Sequence, residues 1–121
     1  MDLPIAGAHL TVLRSDPILV LGVGDYELHV EGELAVHSPT GPTLHRIPGE
    51  PHTDELTAAL TGEVVSAAVA AGGALGILLE SGHRLAVEPD PYFEAWNLTA
   101  PGRYLVVCMP RGELAIWSAA E

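Results

Sequence analysis

The chain has 121 residues, and its 16 acidic residues against five arginines give a formal net charge of −11 with no lysine. That balance argues against nucleic-acid binding, which needs a cationic footprint, and against docking on an anionic membrane surface. Hydrophobic residues reach 48% and charged ones only 17%, so this is not a disordered acidic tail, and a single cysteine, Cys108, leaves no disulfide framework and no multi-cysteine zinc site.

The length suits one domain over residues 1–121. Met1-Asp2-Leu3-Pro4 lacks the charged and apolar regions of a signal peptide, so the expected location is the cytoplasm. Short apolar runs bounded by Gly, Pro, Asp or Ser then follow at close spacing, which predicts a mostly β, β-rich α+β chain. Strands are expected at 8–14, 17–23, 26–31, 33–38, 63–70, 74–80, 83–88, 93–99, 103–109 and 113–117. Residues 39–52, with four prolines, read as an irregular connection. A helix is expected at 54–61: Thr53 caps it, Asp54 and Glu55 sit in its first turn, Leu56 and Leu60 form its buried stripe, and Gly62 ends it. The run Val64–Leu79 imitates a membrane span. At about 1.5 Å per residue it would reach about 24 Å as a helix, short of the roughly 30 Å required, and Gly72-Gly73 divides it into two strands.

Matching apolar residues across hairpins predicts their registers. A two-residue turn at Gly24-Asp25 sets Leu21 against Leu28 and Leu19 against Val30. A turn at Ser81-Gly82 sets Leu78 against Leu85, and one at Arg111-Gly112 sets Met109 against Leu114 and Val107 against Ile116. At Glu31-Gly32 a three-residue bulged loop sets Val30 against Leu34 and Leu28 against Val36, and brings Glu27 across from His37. Shifting Ile18–Glu31 by 57 residues lays it on Leu75–Glu88, which suggests two related halves at about 5–48 and 60–117 in a sandwich or barrel-like fold. The mean hydropathy is +0.28, and few charges are left to solvate the surface. A homodimer edge or face, or a stable partner, is therefore expected to cover part of it.

Catalytic motifs are missing: there is no G-x-S-x-G elbow, Walker loop or G-x-G-x-x-G. His29, His37 and His45 stand eight residues apart, but no spacing matches a metal set, so no metal and no cofactor are expected. Glu50, His52, Asp54 and Glu55 lead into a helix start, where acids serve capping and the dipole. Cys108 sits among apolar residues that disfavour a thiolate. The most distinctive segment is Asp90-Pro91-Tyr92-Phe93-Glu94-Ala95-Trp96. Tyr92, Glu94 and Trp96 are the candidate binding residues, an aromatic and acidic patch for a cationic protein or ligand. The structural alternative makes Trp96 and Trp117 core fillers.

Residues 60–117, through Leu60-x-Gly62, Gly82-x-x-Leu85-x-Val87, Pro91–Trp96 and Pro110-Arg111-Gly112-Glu113-Leu114-Ala115-Ile116-Trp117, and the first half more loosely, resemble a small bacterial, largely actinobacterial, domain family of unknown function. Its motifs are Tyr-Glu-Ala-Trp-like and Pro-Gly-Gly-Glu-Leu-Ala-x-Trp-like. Phe93 is an insertion relative to the first, and Arg111 stands where glycine is usual in the second. The resemblance implies a compact domain and transfers no catalytic residue. In size and charge the chain also resembles immunity proteins. The expected function is a non-enzymatic acidic interaction domain holding a basic protein, with an immunity-like role its most concrete form. The alternatives are a small-molecule-binding or catalytic β-barrel with a pocket between the halves, or a homo-oligomer subunit.

Overall fold

The computed structural model describes residues 1–100, 102 and 104–118. Along the chain run β1 (His9–Arg14), β2 (Leu19–Val23), β3 (Tyr26–Val30), β4 (Leu34–His37), β5 (Leu44–Arg46), α1 (Asp54–Ala59), β6 (Gly62–Val69), β7 (Leu75–Leu79), β8 (Arg84–Val87), β9 (Trp96–Ala100), β10 (Tyr104–Cys108) and β11 (Leu114–Ser118). The mostly β expectation holds. β5 lies inside the proline-rich stretch that reads as irregular, where three residues carry too little periodicity to register. Helix α1 begins as its sequence dictates: Thr53 Oγ1 accepts from Leu56 N at 3.1 Å, and Leu56 and Leu60 are buried.

The strands form one antiparallel sheet in the order β11-β10-β9-β3-β2-β1-β6-β7-β8-β4-β5. It is not a closed barrel, since β11 and β5 each end it. β1 and β6 pair at its middle through His9 with Glu63 and Leu10 with Gly62. Exchanging β1–β5 with β6–β10 returns the same order, with β11 as an addition. Each half-sheet therefore finishes on strands from the other segment of the chain. β4 leaves β3 to pair with β8, and β9 leaves β8 to pair with β3. The two crossovers touch where Glu31 N and Gly32 N both donate to Ala95 O at 2.8 Å. A Cβ on Gly32 would stand 3.0 Å from that of Ala95, so the approach needs glycine.

The Glu31-Gly32 corner is thus a crossover and not the bulged hairpin its residues suggest. Leu34 and Val36 find Val87 and Leu85, not Val30 and Leu28. Apolar alternation fits both partners equally well, so it cannot choose between them. Glu27 consequently faces Thr99, and its carboxylate meets His29 Nε2 at 3.2 Å, while His37 pairs in register with Arg84.

The Gly24-Asp25 hairpin has the expected register, with Leu21 opposite Leu28. The other two are one residue off. Leu79 N bonds His83 O across a three-residue loop, which sets Ile77 against Leu85 and Leu78 against Arg84. Met109 N bonds Glu113 O across another, which sets Cys108 against Leu114 and Val106 against Ile116. Inside, Leu10, Leu21 and Leu28 from one half-sheet and Ile77, Leu79 and Leu85 from the other belong to a single apolar cluster, so the sheet folds its two halves onto a shared core.

Candidate interaction surface

The segment between β8 and β9 is built by Asp90. Its Oδ1 accepts from Tyr92 N at 2.7 Å and Phe93 N at 3.2 Å, the side chain standing in for a backbone turn. Its carbonyl accepts from Arg111 N at 2.8 Å and ties the loop to the β10–β11 turn. Beneath lie two turns in backbone contact. Gly73 and Gly112 both adopt φ +93, and a Cβ on Gly112 would fall on the carbonyl oxygen of Gly72. The loop thus rests on a seam that admits no side chain.

This scaffold separates the residues that the sequence groups together. Tyr92 is 87% exposed, Phe93 is 44% exposed and Glu94 is exposed. Ala95 and Trp96 turn inward and are fully buried. β9 starts at Trp96 rather than at 93, so Glu94 and Trp96 do not share a strand face. The Trp96 indole Nε1 donates to Gly73 O at 3.1 Å, and the Cys108 thiol approaches the same carbonyl at 3.5 Å. Trp96 is a core residue and leaves the binding set. The expectation for Trp117 fails in the opposite direction: on β11 it is 56% exposed. What remains on the surface is Tyr92 and Phe93 with the exposed carboxylates of Glu88, Glu94 and Glu113 on the loop and the adjoining turn.

Several of the other chemistry-bearing groups have structural partners. Glu50 accepts from Ile47 N at 2.7 Å, His37 contacts Thr43 Oγ1 at 3.2 Å, and His83 contacts Ser81 Oγ at 2.9 Å. Among the described residues no three His, Cys, Asp or Glu side chains are gathered so as to hold a metal ion. Burial pushes the Cys108 thiol above its usual pKa, with the Ala95 backbone N–H acting the other way. Burial also raises Tyr104, whose ring meets Tyr26 edge-on at 5.9 Å. A cleft of about 420 Å³ lies over β6, β7 and β8 beside Ser66, Ala68, Gly76 and Arg84. No helix among the described residues is long and apolar enough to cross a membrane.

A family model of unknown function, DUF6188, matches residues 1–118. The chain belongs to this family. The DUF6188 match takes in both half-sheets, the Tyr92 loop and β11, well beyond the 60–117 stretch in which the sequence motifs lie. No curated protein and no solved structure matches the chain.

Proposed function

We propose that this member of DUF6188 is a non-enzymatic interaction module that holds a basic protein through the loop bearing Tyr92, Phe93 and Glu94. The observation that carries this reading is the display of two aromatic side chains on an anchored loop, with exposed carboxylates at Glu88 and Glu94 on the same loop and at Glu113 after the turn tied to it, on a chain of net charge −11. Exposed aromatics supply desolvated anchors and faces for cations. The acidic field speeds encounter with a cationic partner and turns other acidic surfaces away. Neutralisation of a basic toxin, an immunity-type role, is the most concrete form of this function.

The test is affinity capture with the tagged protein at low salt, beside a Tyr92→Ala, Glu94→Lys double variant. A basic protein retained by the wild type, released as salt rises and lost from the variant is the expected result. Equal retention by the variant, or a small-molecule adduct in native mass spectrometry in place of a protein, would overturn the reading.

A further inference from the structure

Among the described residues the sheet has two free edges, and only one is guarded. β5 is three residues long and flanked by Pro42 and Pro48. Its Arg46 points inward, is 4% exposed and donates from Nη2 to Ser15 O at 2.9 Å. Short length, flanking prolines and an inward charge are devices that stop an edge from recruiting another strand. β11 has none of them. Leu114–Ser118 contains no proline and no charge, and its register with β10 runs without a bulge. Because Glu113 O accepts from Met109 N at 2.7 Å, the odd-numbered residues aim their main-chain groups at β10. Those of Leu114 and Ile116 face outward. Ile116 is 51% exposed on the face that continues Val106 and Leu98 of the core, and Trp117 lies exposed on the opposite face beside Leu105.

We propose that β11 pairs antiparallel with β11 of a second copy of this chain, with Ile116 on the two-fold axis. That register sets Ile116 against Ile116 on one face. On the other, Ala115 of each copy faces Trp117 of its mate, small against large. The strand carries no charge, and the nearest acid, Glu113, stands three residues from the axis. The two copies of Glu113 are then about 20 Å apart along the ribbon, beyond a Debye length of about 8 Å. Two chains of net charge −11 can therefore meet here, whereas a basic partner is drawn to the acids elsewhere. The two-fold uses up both β11 edges and leaves the guarded β5 edges at the ends, so assembly stops at two.

Sedimentation equilibrium of the whole chain, from about 1 to about 200 µM, tests this. The wild type is expected to dimerise, and Ile116→Lys to weaken the dimer at least about tenfold while keeping the wild-type circular dichroism. Should the lysine variant unfold, Ile116→Thr retains β-branching and is expected to weaken the dimer in the same direction. The dimer is expected to persist as salt rises, and Ile116→Lys to retain the basic partner, so this inference and the proposed function fail separately. A wild type that stays monomeric, a lysine variant that dimerises with unchanged affinity, or growth beyond a dimer would overturn it.

Discussion

The two half-sheets share a plan and differ at the strands they exchange. β2-β3 and β7-β8 supply equivalent apolar rows: Leu19, Leu21, Leu28 and Val30 in one, Leu75, Ile77, Leu85 and Val87 in the other. The incoming strand brings Leu34 to Val87 in one half and Trp96 to Val30 in the other. The next strand brings Arg46 opposite Leu34, whereas Cys108 comes to lie beside Trp96. One half thus closes with a buried cation at a guarded edge. The other closes with an indole, a thiol and an added strand whose edge is open. A repeated scaffold can carry its asymmetry in a few residues beyond the repeated hairpins, and here the exposed loop and the open edge both lie in the Trp96 half.

The largest effect that would break this comparison is at the seam under that half. Gly112→Ala sets a Cβ on the carbonyl oxygen of Gly72 at φ +93 and is expected to cost at least about 4 kcal/mol in urea denaturation. Gly49→Ala, at φ +91 with nothing within 4 Å of the added carbon, is expected to cost only about 1–2 kcal/mol. Next come the exchanged residues. Trp96→Ala leaves a large cavity and strips Gly73 O of its indole donor, for a loss of about 3–5 kcal/mol, against about 3 kcal/mol for Leu34→Ala. Equal losses would mean that the halves are energetically alike despite their different fillings.

Arg46→Met sharpens the contrast between edges. The guanidinium is buried, its Nε has no partner, and no carboxylate among the described residues forms an ion pair with it. A methionine of similar reach is expected to change the unfolding free energy, read by urea denaturation, by less than about 1 kcal/mol. Light scattering is expected to rise, because the inward charge no longer protects β5. A loss above about 3 kcal/mol with no change in scattering would assign Arg46 to stability instead. A gain rather than a loss is expected at Arg111, the one non-glycine residue with positive φ among those described, at φ 72. Arg111→Gly is expected to raise stability by about 1 kcal/mol, read as a higher melting temperature.

Much of this was legible along the chain, and the misses share a cause. Ten strands, the Thr53 cap and the Gly24-Asp25 hairpin follow from periodicity and turn chemistry, which act over a few residues. The two registers that slipped both lie at loops where a third residue, Glu80 or Pro110, joins the turn. Apolar matching alone scored the shorter loops as well. In the candidate site the exposure of Tyr92 was readable from a segment rich in Pro and Asp, whereas the strand expected at 93–99 takes in Glu94, which lies before β9. The burial of Trp96 was not readable, because an aromatic residue after such a loop suits a surface anchor or a core filler equally.

The sequence by itself determined which segments are strands for all but β5, where the helix starts and that the molecule is acidic and mostly β, because these depend on side-chain alternation, local capping and summed charge. Only the tertiary structure decided that β4 and β9 change places, that Trp96 is buried while Trp117 is exposed, and that one edge is guarded and the other open. Those outcomes depend on which strands meet across the sheet, and an apolar strand face is complementary to every other apolar strand face until the whole core is assembled.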